Sequence, residues 1–504
     1  MVGLNKHIMR TVLILSYIMV VALIIAGISA IFSYLNTGAD RSNMLHTEIK
    51  QTTNYTPQLN WNPLDNLGRP IDQENLKSIE KDYLDAWFVQ HLAYKTNKTT
   101  GIKDYYTKNA RLNIYDFIDY NTKHNIYIDA TTLNHNPTLE FFSEDGQLAV
   151  ITDNNVIEYK HIYKSNTLIT KTKEAASYKF IMLLEDGFWR IRHKQKIKSE
   201  AFKNSSVTVN TDSLNIKGIN YYPQNSAWDM YGELFSKDTI AKDFKLIKST
   251  GLNAVRIFVP YEDFGKEHVN PEKLKKLKQT LDQAEQQQLK VIVTLFDFYG
   301  DYSIINWSLN QKHALSIVNK IKNHKALLAW DIKNEPNLDF ESRGKQNVTA
   351  WLTNMIDIVK SADNNHPVTI GWSNTSSALL LEDKVDFISF HYYENLSELD
   401  TKINLLKKGT EKPIVLQEFG MSSYSGFWNP FGNNEKDQAN YHKKAQDIIA
   451  KNNLQYMSWT LYDFKKIPKE VVGKLPWRKN AQKHFGFINK NGAKKLSFNH
   501  ITSQ

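Results

Sequence analysis

Trp330-Asp331-Ile332-Lys333-Asn334-Glu335-Pro336 and Val415-Leu416-Gln417-Glu418-Phe419-Gly420 decide the fold of this chain. Each closes an apolar run and stops at a carboxylate. Apolar runs of this length are strands buried on both faces. A charge at the end of such a strand is costly unless something requires it. In a (β/α)8 barrel the requirement is functional, because the C-terminal ends of the strands form the working face.

Outward from these two stretches, strand and helix patterns alternate from 207 to 504, the signature of a parallel sheet. Eight strands are predicted: 216–220, 254–258, 291–295, 327–331, 368–371, 387–391, 414–418 and 456–460. Helical stretches fall between most of them, such as 242–249 and 271–288. The fold class is therefore α/β, a TIM barrel. Preceding it, 71–200 reads as a smaller α+β domain. Helical spacing over 76–94 brings Tyr83, Leu84, Trp87, Phe88 and Leu92 to one face, and a short helical stretch follows around Tyr105. Strands are then predicted at 125–129, 148–152, 156–160, 177–184 and 188–192, the last two joined by Glu185-Asp186-Gly187 as a hairpin. Helices followed by a curved antiparallel meander resemble the nuclear-transport-factor-2-like cone.

The first 35 residues differ from the rest. From Thr11 to Leu35 there is no charged residue, and roughly 20 apolar residues span a bilayer core. Lys6 and Arg10 precede the run, which puts residues 1–10 in the cytoplasm and the remainder outside it. The expectation is a single-pass anchor over 11–35, with cleavage as a signal peptide after Ala30 as the competing reading. Residues 36–70 are polar and read as a linker.

The composition excludes several classes. The 504 residues contain no cysteine, so there are no disulfides and no thiolate metal sites. The net charge of +10 is spread over Lys-rich helical faces such as 273–278, which read as solvated surfaces. No nucleic-acid motif is present, and no nucleic-acid partner is expected.

With Asn334-Glu335-Pro336 ending the fourth predicted strand and Gln417-Glu418-Phe419-Gly420 ending the seventh, the barrel region resembles the clan A glycoside hydrolases, nearest in pattern to the family 5 cellulase and mannanase group. The resemblance covers 207–504. It implies that Glu335 is the acid/base and Glu418 the nucleophile of a retaining glycosidase, a chemistry that two carboxyls perform without a metal or organic cofactor. It also matches Arg256 on the second strand, His391 and Tyr393 after the sixth, and Trp459 on the eighth. Arg256 is then the candidate to hold Glu418 as a carboxylate, and Tyr393 a second donor to it. His391 is placed beside Glu335, Asn334 at the sugar 2-hydroxyl, and Trp459 beneath the ring. Where many members carry a His after the third strand, this chain has Asp297 and Tyr299. Asp297 is a candidate for a sugar hydroxyl or for a loop cap. Trp228, Trp307, Trp372 and Trp428 follow strands one, three, five and seven, and are candidate stacking platforms for a pyranose.

The expected activity is endo-cleavage of a β-linked polysaccharide outside the cytoplasmic membrane, in exopolysaccharide or envelope processing. Residues 71–200 would serve as a spacer or protein-interaction module. Two alternatives use the same sequence: a transglycosylase, and a catalytically silent carbohydrate-binding or scaffold protein.

Overall fold

In this computed structural model, the described residues are 6–36, 55–201, 209, 211, 214–426, 429–472 and 475–502. Residues 11–35 fall within one helix, α1 (Lys6–Asn36). The stretch of it with described side chains runs from Val12 to Ile28. Among the described residues no helix is long and apolar enough to cross a membrane.

The eight barrel strands occur where the sequence places them, within a few residues. They are β7 (Lys217–Asn220), β8 (Ala254–Pro260), β9 (Lys290–Asp297), β10 (Leu327–Asn334), β11 (Val368–Trp372), β12 (Ile388–Tyr392), β13 (Ile414–Phe419) and β14 (Gln455–Ser458). All pair in parallel, and β14 closes on β7. Between β11 and β12 the described chain turns without a regular helix.

Inside the barrel, side chains sort by height. Ile216, Ala254, Ile292, Ala329, Phe387, Val415 and Met457 form an apolar layer around the strand starts. Nearer the C-terminal ends the interior is polar and holds Asn220, Arg256, Thr294, Asp331, His391, Gln417 and Ser458, all buried. The outer helices are set by local signals. Asn270 caps α6 (Pro271–Gln286) through the backbone N–H groups of Glu272 and Lys273, with Pro271 in the first turn. Asn434 and Asp437 form a reciprocal capping box on α10 (Glu435–Lys451).

The preceding unit has its own core, built on Tyr83, Trp87, Phe142, Phe180 and Trp189. Helices α2 (Gln73–Thr96), α3 (Ile102–Tyr105) and α4 (Lys108–Lys123) precede a sheet ordered β1-β2-β4-β5-β6, with β3 paired to β4. The strands are β1 (Gln58–Leu59), β2 (Ile126–His135), β3 (Pro137–Phe142), β4 (Leu148–Lys164), β5 (Thr167–Glu185) and β6 (Phe188–Ala201). The Asp186-Gly187 turn is present, with φ of 52° and 81° as its chemistry requires.

Two expectations are corrected here. The two strands predicted at 148–152 and 156–160 are one strand, β4, irregular between Asp153 and Val156. Asp153-Asn154-Asn155, between the two predicted strands, forms a bulge, with Asn155 at φ 54°. Of the linker predicted over 36–70, the residues from Tyr55 onward belong to the folded unit. Tyr55 is buried, β1 pairs with β2, and Asn60 N–H donates to the His135 carbonyl at 3.0 Å. Its polar side chains face solvent or cap neighbouring backbone, so the segment looks like a linker by composition.

The two units meet on the outside of the barrel. Lys173 pairs with Asp357 at 2.9 Å, Tyr163 donates to Asn347 at 3.2 Å, and the Tyr159 ring lies 4.4 Å from Trp307. Trp307 begins α7 (Trp307–Ile321), is fully buried, and donates its indole N–H to the Tyr302 carbonyl at 3.2 Å. The sequence offered it as a stacking platform. The structure makes it a core residue at the domain junction. Trp307→Ala should lower unfolding stability by about 3–5 kcal/mol, as for other large aromatic truncations, read as a fall in denaturant midpoint.

Burial also shapes the response to acid. His442 on α10 is packed against Phe487 at 4.5 Å, and desolvation pushes its imidazole down to about 3. The folded form thus resists a proton that the unfolded form takes near pH 6.5. The stability this contributes is complete above that value and falls as pH drops toward 3. His442→Phe should flatten the loss of thermal stability between pH 6.5 and 4, measured by melting in matched buffers.

Candidate active site

Arg256 organises the polar layer. It is fully buried and reaches neighbours on several strands. Nη2 donates to Asp331 at 2.6 Å and Asn334 at 2.9 Å, and Nε to Asp331 at 3.0 Å and Thr294 at 3.1 Å. Nη1 donates to Asn220 at 3.1 Å and Glu418 at 3.2 Å. Burial alone would weaken the cation's hold on its proton. Asp331 and Glu418 outweigh this and raise the guanidinium above its ordinary value.

Glu418 ends β13 with its carboxylate only 11 % exposed. Besides Arg256 it accepts from the Tyr393 hydroxyl at 2.6 Å. Desolvation around the hydroxyl, then the charge of Glu418, push the Tyr393 phenol above its ordinary value, although the residue as a whole is 44 % exposed. That hydroxyl is thus a donor at any physiological pH. Glu335 follows β10 in a left-handed conformation, φ 50° and ψ 48°. A non-glycine residue there carries a strain of about 1–3 kcal/mol that its surroundings must hold. Its backbone N–H donates to the Gly371 carbonyl at 2.7 Å, and its carboxylate meets His391 Nδ1 at 3.0 Å. His391 Nδ1 is also 3.8 Å from Glu418.

One oxygen from each glutamate and a His391 ring nitrogen lie within 4.8 Å of one another. This spacing would also admit a metal ion, but Arg256 already places a fixed positive charge against Glu418. The two carboxyls open into a cavity of about 360 Å³. Its walls include Trp228, Phe258, Phe298, Trp459 and Phe485, with Asp297 at the edge of the carboxylates. Asp297 accepts from the Tyr222 hydroxyl at 3.3 Å.

The structure thus brings together Glu335, Glu418, Arg256, Asn334, His391, Tyr393, Trp459, Asp297 and Trp228. It removes two platforms. Trp372 is buried at the end of β11 with Phe340 beside it at 6.1 Å, and Trp307 lies in the core. Both follow strands on the correct side of the barrel but turn into packing, a choice that sequence position does not reveal. Trp428 lies outside the described residues. Missed by the sequence reading were Tyr222, Phe258, Phe298 and Phe485 on the cavity wall, and Asp331 as the main partner of Arg256. Asp331 carried a readable signal, since a carboxylate on a buried apolar strand requires a cation.

Residues 207–465 match the family model described as Cellulase (glycosyl hydrolase family 5). Among curated proteins, human β-glucuronidase is 24 % identical over 304 residues, covering 55 % of this chain and 43 % of that protein. Mannan endo-1,4-β-mannosidase A of Hypocrea jecorina is 26 % identical over 207 residues, covering 33 % and 46 %. The chain therefore spans somewhat under half the length of these relatives. Among solved structures, the exo-β-1,4-mannosidase Op5Man5 of an Opitutaceae bacterium aligns with TM-score 0.48 and 18 % identity over 60 % of this chain and 61 % of that one. A Bifidobacterium dentium β-glucuronidase complexed with coumarin-3-O-glucuronide aligns with TM-score 0.46 and 15 % identity, over 74 % and 65 %.

Asp331 neutralises a cation that has no access to water. Asp331→Ala should cost about 3–5 kcal/mol, the usual result of leaving a buried charge without its partner, seen as a lowered unfolding midpoint.

Proposed function

The chain belongs to the cellulase family, glycosyl hydrolase family 5, and from that premise we propose that it cleaves β-linked glycosides with retention of configuration. The observation that carries this is the approach of Glu335 and Glu418 to within 4.8 Å across an aromatic-walled cavity. Retaining enzymes hold their two carboxyls about 5–5.5 Å apart, while inverting ones leave room for a water between them.

Glu418 attacks the anomeric carbon and forms a glycosyl-enzyme ester as the aglycone leaves. Glu335 gives its proton to the departing oxygen, then removes one from the incoming water. Arg256 and Tyr393 hold the Glu418 oxygens at fixed positions for in-line attack. Trp459 and Trp228 offer apolar faces to the ring, and Asn334 and Asp297 offer polar groups to its hydroxyls.

The lining favours a neutral sugar over a uronic acid. A glucuronate carboxylate calls for an Arg or Lys donor. Among the described cavity-lining residues there is none, while Asp297, Glu335 and Glu418 are acidic. A mannoside or glucoside therefore fits better than a glucuronide. Transfer to a sugar acceptor instead of water would use the same residues.

The uncharged run 11–35 supports attachment to the cytoplasmic membrane, with the barrel outside and its substrate a polysaccharide being exported or assembled. The helical and antiparallel segment 71–200, read as a nuclear-transport-factor-2-like module, would be a spacer or a protein contact. Alkaline carbonate extraction tests the anchor, and release of the chain into the soluble fraction would retire it.

The full chain should hydrolyse one member of a panel of β-mannans and β-glucans. Glu418→Gln and Glu335→Gln should each lower the rate by a factor on the order of 100 or more. NMR of the first product should show the β-anomer. An α-anomer appearing first, or unimpaired variants, would overturn the retaining assignment.

A further inference from the structure

Gln417 is a side chain of the polar layer that the chemistry above does not use. Gln417 is fully buried, and neither its amide oxygen nor its amide nitrogen has a hydrogen-bond partner. An amide shut away from water in this state costs free energy unless it serves something.

Its position is set by a break in register. Phe390 pairs with Leu416, but the next residue, His391, pairs with Glu418. Gln417 is the extra residue on β13. Bulges of this kind re-aim a side chain beside a working site. In a regular strand Gln417 and Glu418 would face opposite ways. The bulge instead lets both point into the barrel, with Gln417 below Glu418.

Its amide shares a border with His391. The slot between them exists because residue 371 is a glycine. A β-carbon there would lie 2.6 Å from Gln417 Oε1, 2.9 Å from Arg256 Nη2 and 3.1 Å from His391 Nε2. Thus the amide oxygen and the ring nitrogen both border the same glycine, and a half-turn of the amide puts its NH2 group where Oε1 lies. His391 Nε2 is likewise buried and without a partner. The other ring nitrogen, Nδ1, is committed to Glu335 at 3.0 Å. Glu335 offers Nδ1 an accepting oxygen both as a carboxylate and while its other oxygen holds the proton to be donated, so an N–H on Nδ1 serves both states and leaves Nε2 as an acceptor. An amide is the neutral side chain that can supply a donor to that acceptor.

We propose that Gln417 is a positioning residue that pairs with His391 Nε2 and so keeps the His391 proton on Nδ1, aimed at the acid/base Glu335. The proposal rests on the assignment of Glu335 as proton donor. Gly371 is part of the same device, since any side chain there would occupy the slot.

The test separates a role in proton donation from a merely structural one. Phenyl glycosides need protonation of the leaving oxygen, whereas 2,4-dinitrophenyl glycosides do not. The probes are the phenyl and 2,4-dinitrophenyl β-mannosides and β-glucosides, with kcat/KM measured on the full chain. Gln417→Met keeps the bulk and removes the hydrogen bond. It should slow the phenyl glycoside about tenfold more than the dinitrophenyl one, part of the 100-fold or greater effect of general acid catalysis. Adding Gln417→Met to His391→Phe should cause no further loss, because the two act through one contact. Equal slowing of both glycosides, no slowing of either, or additivity with His391→Phe would overturn the proposal. Glu335→Gln is the control. If it shows no preference between the two leaving groups, Glu335 is not the proton donor, and this proposal falls with that assignment.

Discussion

A buried guanidinium governs the upper half of this barrel. Arg256 sits where water cannot reach it, so each of its donors must find an acceptor inside the protein. Asp331 takes two of the contacts and cancels the charge; Asn220, Thr294, Asn334 and Glu418 take the others. Asp331 in turn accepts from the Gly371 backbone at 2.9 Å. Six of the eight strands are thereby tied to one planar group. The fork of the guanidinium has fixed angles, so the positions of these acceptors follow from it. Glu418 is held from below before any ligand arrives.

The same constraint explains why Glu335 can be kept in a left-handed backbone conformation. Asn334 is pinned to Arg256, and the Glu335 N–H is pinned to the Gly371 carbonyl. With both sides fixed, the turn into Pro336 has little freedom, and the carboxylate is delivered to His391 rather than to solvent. Strain of about 1–3 kcal/mol persists only where neighbours over-determine it, and here the neighbours are the Arg256 network itself.

The barrel was legible because parallel strands buried on both faces read as apolar runs, and all eight did. Glu335, Glu418 and Arg256 stood out for a related reason, since each breaks or ends such a run, whereas His391 and Tyr393 were marked by the resemblance to the family. The aromatic wall was harder. Trp228 and Trp307 follow strands in similar ways, yet one lines the cavity and the other is covered by Tyr159 of the preceding unit. Which way an indole turns depends on what packs above it, and for Trp307 that partner lies about 150 positions earlier. Phe485 reaches the cavity from beyond the last strand, where no periodic pattern announces it. The bulge at Gln417 is invisible in sequence because register belongs to a pair of strands, not to one.

The preceding unit has a bearing on the site that its separate core conceals. Its β2 residue Asp129 borders a small cavity with Gly300, Asp301, Ser303, Arg343 and Asn347. Those residues belong to the segments that follow β9 and β10, the strands that end in Asp297 and Asn334. Thr56 N–H reaches the Ser308 hydroxyl at 3.4 Å, and Tyr159 packs on Trp307 at the start of the next helix. The loop from Asp297 to Trp307 therefore runs between the cavity on one side and the α+β unit on the other. Loops in isolated barrels are backed by water and fluctuate accordingly. This one is backed by a sheet, so the position of Phe298 and Asp297 at the cavity wall depends on a domain that, among the described residues, contributes no side chain to that wall.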